Sequence, residues 1–309
     1  MKFPKKRQES EKLSAWEQIR RSKQSYLLIA PFMILFFFLT VIPMVASVGL
    51  SFTSFNMMQK PILVGWENYQ RMLLDDPVFF KVLKNTLLFA FLTGPISYLL
   101  SFVFAWLINE TGRTLRTILT LIFYMPVLAG NIYFVWSFLL SGDEYGIINA
   151  FLIRLTLISE PIGFLTDQNY MLLALMVVQL WLSLGTGFLA FVAGFQGMDV
   201  TLAEAGAIDG IRNRWQELRY ITLPGMSHQL RFSAVMQISS SFGVGAVIIS
   251  LVGYPTSQYS ADTLVTYIMD VGTTRFEMGY ACTIAVFLFA LMIATNSLIS
   301  AILKRYSTE

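Results

Sequence analysis

The stretch whose residue types and spacing carry most chemistry is 197–230, GMDVTLAEAGAIDGIRNRWQELRYITLPGMSHQL. Its chemistry is recognition rather than catalysis. Ala203, Ala207 and Gly210 fall three or four residues apart, with Ala205 and Gly206 between them. A helix built from them has little side-chain bulk, so another surface can approach its backbone closely. Glu204 and Asp209 add fixed charge beside that face. Asp199 or Thr201 can cap the start, and Glu204 stands three residues beyond Thr201 in capping-box spacing. The pattern predicts a helix over about 202–209, closed by Gly210, since glycine tolerates the left-handed conformation that ends helices. A second helix over about 213–220 would bring Trp215, Leu218 and Arg219 within a turn of one another. Pro224 is expected to stop it, with Leu223 biased away from helix. Two readings fit: a rigid element that fills a groove in another protein, or a loop packed on its own bundle.

A second set of residues is polar, uncharged and embedded in apolar sequence. It comprises Asn131, Tyr133 and Trp136, then Gln179, Trp181 and Ser183, then Gln237, Ser239, Ser240 and Ser241, and last Thr295, Asn296 and Ser297. Donors and acceptors beside aromatic faces suit a neutral, hydroxyl-rich solute such as a sugar. The same residues would also serve as helix–helix contacts, each contributing around 0.6 kcal/mol in a membrane. Nothing points to catalysis. One histidine, His228, and one cysteine, Cys282, make neither a metal cluster nor a disulfide framework. There is no phosphate-binding loop, no HExxH and no dinucleotide fingerprint. The chain is therefore not expected to be an enzyme, and energy for any work must come from a partner or an ion gradient.

The elements that would position these residues are membrane helices. Of 309 residues, 55% are apolar and only 13% charged, about half the charged share of a soluble domain. Mean hydropathy is +0.61. This excludes a disordered chain, a fibrous repeat and a soluble enzyme. A membrane helix needs about 20 mostly apolar residues, and six stretches qualify: about 26–51, 86–108, 117–140, 171–195, 231–252 and 280–303. The first is too long and lacks the small-residue site of a cleaved signal, so it is expected to stay as a helix. Pro31, Pro43, Pro95 and Pro126 can kink their helices. Gly185-x-Gly187 and Gly243-x-Gly245 mark close approaches or bends. With six spans and both ends inside, sixteen of the 22 Lys and Arg lie on the cytoplasmic side, as basic loops require. The expected organisation is an all-α membrane protein. A basic cytoplasmic segment, 1–24, precedes a transmembrane domain, 25–309, that contains the loop 197–230. Three outer segments, about 52–85, 141–170 and 253–279, are expected to hold short interfacial helices.

EAGAIDG at 204–210 followed by ITLP at 221–224 resembles the "EAA" loop of permease subunits of binding-protein-dependent ABC importers. VGWENYQRML (64–73) with NTLLF (85–89), the approach through Gly197, Met198 and Asp199, TLVTYIMD (263–270) and FEMGYA (276–281) resemble the sugar and oligosaccharide branch in matching order. The resemblance implies the type I importer permease fold, a bacterial or archaeal cytoplasmic membrane, and docking of the loop in a cleft of the ATPase subunit. The coupling roles then fall on Glu204, Ala205, Gly206, Asp209 and Gly210, with Ile221, Leu223 and Pro224 closing the motif. It implies a second permease, commonly a different chain, an ATPase dimer that uses ATP and Mg, an external solute-binding protein, and a sugar or oligosaccharide substrate. No cofactor is expected on the chain itself. Three departures stand out. Gly206 replaces the motif's Ala, lowering helix propensity by up to about 1 kcal/mol. The stretch from Gly210 to Ile221 is one residue longer than the usual pattern. Met198-Asp199 stands where a proline is usual.

Two other classes remain at this point. A stand-alone secondary carrier would need an inverted repeat and a buried coupling-ion site, and the six stretches hold no Asp or Glu. A membrane scaffold would need its in-membrane polar groups satisfied by packing and no ATPase partner.

Overall fold

The computed structural model describes residues 22–130 and 132–306. The basic segment expected at 1–24 therefore lies outside the described residues up to residue 21, as does the candidate Asn131. The chain divides into two units, residues 1–49 and 50–309. The first holds all but the last residue of α1, Lys23–Leu50, a 28-residue apolar helix.

The second unit begins with a two-residue hairpin, β1 (Thr53–Ser54) and β2 (Ile62–Leu63), antiparallel with Thr53 opposite Leu63. A long helix follows, α2 (Pro77–Asn109), then α3 (Arg113–Leu128), α4 (Ile132–Leu139) and α5 (Ile147–Arg154). Next come α6 (Gln168–Leu182), α7 (Thr186–Gln196), α8 (Val200–Ile208) and α9 (Arg214–Glu217). The remainder is α10 (Ser227–Phe242), α11 (Ala246–Leu251), α12 (Leu264–Met269) and α13 (Met278–Tyr306).

Helix α2 organises this unit. Asp76 caps it, accepting from the backbone N–H of Val78 and Phe79 at 2.9 and 3.1 Å, and Pro77 occupies the first turn where no N–H is needed. Thr86, Ala90, Thr93, Ser97, Ser101 and Ala105 form a buried stripe of small side chains at three- and four-residue spacing. Small residues let neighbouring backbones approach in a membrane. A Cβ on Gly94 would stand 3.0 Å from the Ser241 hydroxyl of α10. Three apolar clusters build the interior, and α2 enters each: Phe79 and Val82 in one, Phe89 in the second, Ala105 and Ile108 in the third.

Two prolines, Pro43 among the anticipated kinks and Pro224 in the loop, follow a widened turn. A π-turn at Phe37–Val41 precedes Pro43, and another at Leu218–Thr222 precedes Pro224. In each, the residue just before the proline donates five residues back, Ile42 to Phe37 O and Leu223 to Leu218 O. A π-turn carries one extra residue, and the widened turn makes room for a ring that would otherwise clash with the carbonyl four residues earlier. Leu223 therefore stays helical (φ −59°, ψ −46°), and the chain continues through Leu223–Gly225 instead of stopping at Pro224. Pro95 lies inside an unbroken helix.

Of the six expected spans, four or five stand out among the described residues. Four helices among the described residues are long and apolar enough to cross a membrane: Lys23–Leu50, Pro77–Asn109, Gln168–Gln196 and Met278–Ile302. The pair α3 and α4, bent by 90° at its break, makes five if taken as one span. The stretch expected at 231–252 is split at Gly243–Gly245 into α10, of 16 residues, and α11, of 6, each too short to cross a membrane alone. Ser233, Gln237 and Ser241 of α10 are buried.

Candidate functional site

Two regions collect the candidate residues. The first is the loop between α7 and α10. Asp199 caps α8, accepting from Thr201 N at 3.0 Å, and this backbone bond holds the Asp199 carboxyl below its usual range. The helix ends in a Schellman-type closure: Gly210 is left-handed (φ +97°) and Ile211 N donates to Gly206 O at 2.9 Å. Gly206 faces inward and is buried. A Cβ there would stand 2.5 Å from Ile221 Cδ1 and 3.0 Å from Ile211 Cδ1. The missing methyl of the EAA-like motif is thus occupied by two isoleucine ends from farther along the chain.

The eight loop candidates divide by direction. Glu204, Ala205, Asp209, Gly210 and Pro224 are exposed, Ile221 and Leu223 are half-buried, and Gly206 is buried. Ile208, 87% exposed, extends the apolar part of the outward face together with Leu202. The second helix starts at Arg214 rather than 213, capped by Asn213 Oδ1, which accepts from Gln216 N at 2.8 Å. The π-turn Leu218–Thr222 holds the additional residue noted between Gly210 and Ile221, so Ile221 still reaches Gly206.

The second region is a cavity of about 510 Å³ where three helix pairs break. Ala129 and Gly130 lie between α3 and α4, Ser183–Gly185 between α6 and α7, and Gly243–Gly245 between α10 and α11. The cavity is walled by Pro126, Val127, Gly130, Tyr133, Gln179, Ser239, Ser240, Gly243 and Gly245, among others, none of them charged. A Cβ on Gly185 would come within 3.2 Å of Val127 in the last turn of α3, so the break between α6 and α7 lies against one wall of the cavity.

Of the polar in-membrane candidates, Tyr133, Gln179, Ser239 and Ser240 line this cavity. Gln237 is instead a buried knot. Its Oε1 accepts from Ser97 Oγ at 3.1 Å, and its Nε2 donates to Ser101 Oγ at 3.2 Å and to Ser183 O at 3.1 Å. It joins α2, α10 and the break between α6 and α7. Ser183 Oγ is bonded to Gln179 Nε2 at 3.2 Å. Trp136 and Trp181 meet edge to face, with centroids 5.5 Å apart. Asn296 is in α13, away from the cavity walls, with its Oδ1 buried.

A third group has no counterpart in the sequence reading. Asp76, Asp262 and Asp270 are buried at the N-terminal end of α2 and in the segment before α13. Asp76 Oδ2 accepts from the hydroxyls of Tyr267 at 2.6 Å and Tyr280 at 2.5 Å. Burial, and then the bond to Asp76, push the Tyr267 hydroxyl's pKa up. Asp262 accepts from Thr266 Oγ1 at 2.9 Å, from Thr256 N at 2.8 Å and from the Thr256 hydroxyl. Asn85 Nδ2 donates to the carbonyls of Tyr259, Ser260 and Asp262, and Thr86 Oγ1 accepts from Leu264 N at 2.8 Å. The one local signal was Asp76-Pro77, a cap followed by proline at the first helical position.

Among the described residues, no group of three or more His, Cys, Asp or Glu side chains could hold a metal ion. What these regions offer is an exposed short helix of small, charged and apolar side chains in the loop, and a charge-free polar cavity at the helix breaks.

No protein-family model matches the chain. It is 31% identical over 266 residues to the probable ABC transporter permease protein YesP of Bacillus subtilis (strain 168), covering 84% of each chain. It is 26% identical to the lactose transport system permease protein LacF of Rhizobium radiobacter, covering 88% of this chain and 91% of that one. The fold matches a chain in the crystal structure of a bacterial ABC transporter involved in the import of the acidic polysaccharide alginate. The TM-score is 0.74 at 23% identity, over 94% of this chain and 98% of that chain. With YesP matched at that identity and over that share of its length, the chain belongs to the permease subunits of ABC transporters.

Proposed function

We propose that this permease adopts the type I importer arrangement, with six crossings and both termini in the cytoplasm, and carries a neutral sugar or oligosaccharide. The α10–α11 pair is the sixth crossing, apolar toward lipid and polar toward its neighbours. The basic residues of the 197–230 loop and of both ends support the cytoplasmic side for them. The loop docks on a partner ATPase through Glu204, Ala205, Ile208, Asp209 and Gly210, all outward-facing. A second permease, an ATPase dimer and an external binding protein complete the transporter, as family membership implies. Nucleotide-driven closure of the ATPase pair moves the docked loop, and the passage opens to alternate sides.

The observation that carries the substrate reading is the cavity at the three helix breaks. Tyr133, Gln179, Ser239 and Ser240 supply donors, acceptors and one aromatic face without a charge. The last carbonyls of a broken helix have no partner within it and add acceptors to such a wall. This suits hydroxyl-rich solutes. One relative is named for lactose transport, and the fold is shared with a chain of a transporter for the acidic polysaccharide alginate; between these two kinds the uncharged wall favours the neutral.

The test is uptake by the complete transporter in membrane vesicles, with neutral and uronic-acid oligosaccharides compared. Tyr133→Ala and Ser240→Leu should each lower uptake of the neutral substrate with the complex still assembled. Unchanged uptake in both variants, or a preference for the uronic acids, would remove the assignment.

A further inference from the structure

The loop is covalently tied to α7 and α10, which makes those helices the obvious carriers of any displacement. The structure ties it equally to a helix with no nearby covalent link. Leu218 is buried in one apolar cluster with Ala105 and Ile108 of α2. Trp215 lies against Trp106 of α2, ring centroids 5.1 Å apart. Arg214 forks between the loop's own Glu217, at 2.8 Å, and Glu110 at the end of α2, at 3.1 Å.

From there α2 runs unbroken for 33 residues, about 50 Å at the helical rise, while three neighbouring helix pairs break. Its other end grips the 256–267 segment. Asn85 donates to three backbone carbonyls there, of Tyr259, Ser260 and Asp262, Thr86 takes Leu264 N, and Asp76 takes the hydroxyl of Tyr267. Midway, Ser97 and Ser101 hold Gln237 of α10.

We propose that α2 and the loop move as one body, clasped by Leu218, Trp106–Trp215 and Glu110–Arg214, so that α2 carries ATPase-driven motion directly to the outer 256–267 segment. Glu110, Trp106, Arg214 and Trp215 are then positioning residues for transport. The inference rests on the loop being the ATPase dock. An exposed ion pair alone holds weakly, so the apolar contacts supply the hold and the ion pair fixes direction. The alternative is that the loop slides over the end of α2 in each cycle.

Cross-linking separates the two. In the assembled transporter, Glu110→Cys with Arg214→Cys is joined by a short bifunctional thiol reagent, with the native chain, whose Cys282 is buried, as control. Uptake and recovery of the ATPase are read before and after. If the clasp is one body, the link forms and uptake stays within about twofold of the unlinked protein. Loss of uptake on linking, or failure of the link to form, overturns it. Independently, Glu110→Arg should lower uptake about fivefold or more while the ATPase is still recovered, and adding Arg214→Glu should restore most of it. Full uptake in Glu110→Arg, or no recovery in the double variant, also overturns it. The docking reading has its own check: Glu204→Lys should lose the ATPase altogether. If the ATPase still binds there, the dock is misplaced, and the cross-linking result still says whether loop and α2 move together.

Discussion

The two ends of α2 are held in opposite ways. At the Asp76 end, carboxylates, tyrosine hydroxyls and an asparagine amide are buried, and their partners lie within the same chain. At the Glu110 end the charged groups are exposed, with Arg214 and Glu110 side chains 64% and 38% accessible. Ile208, Trp215 and Tyr220 also stand out from the surface there. A buried acceptor that loses its donors costs about 1–3 kcal/mol, whereas an exposed pair contributes little. One end is therefore held by buried partners within this chain, and the other leaves its charged and large apolar groups exposed.

The largest effect should come from the Asp76 end. Asp76→Ala removes a helix cap and the shared acceptor of two buried hydroxyls, a loss of about 3 kcal/mol. Thermal unfolding in detergent should show it, and Asp76→Asn should recover part because its carbonyl still accepts. A melting temperature unchanged by Asp76→Ala would break the contrast. Next is the middle of the helix. Gln237→Leu leaves Ser97 and Ser101 without their partner, for about 2 kcal/mol by the same measurement. Its substrate range should stay as before, because Gln237 does not line the polar cavity. A changed range would move it from scaffold to passage.

At the exposed end, Gly206→Leu should force Ile211 and Ile221 apart and cost about 1–3 kcal/mol by overpacking. It should show chiefly as reduced recovery of the ATPase. Gly206→Ala should show less, since two flexible isoleucine ends can yield. The smallest effect is titration of Asp199. Its pKa is lower in the folded loop than in an unfolded chain, so its cap on α8 is present above the ordinary carboxylate range. It is lost as pH falls through the depressed value. Hydrogen exchange in 200–208 should quicken over that acid interval, and Asp199→Ala should abolish the dependence.

Much of this was legible in the sequence, and the remainder has definite physical reasons for being hidden. Length and apolarity mark α1, α2 and α13 directly. The glycine pairs at 185–187 and 243–245 mark the breaks, though not that they meet around one space. The loop's helices and cap were readable because caps and glycine closures act over a few residues. The π-turn was not, since only a proline clash at 224 and a one-residue excess hinted at it. The Asp76 junction lay beyond reach because its partners are 191 and 204 residues away. Gln237, Gln179 and Trp181 show the limit of reading polar residues in apolar helices. Their type is written in the sequence, while the face they occupy depends on which helices come to rest against them.

The widened turn at 218–222 has a consequence for how such loops are compared. Counting positions from Gly210 misreads this segment by one; counting backbone revolutions does not. An inserted residue here swells into the helix wall, and the isoleucine beyond it still returns to the same glycine. A chain one residue shorter at this spot, wound there as an ordinary helix, would bring its isoleucine to the same glycine and present the same outer face.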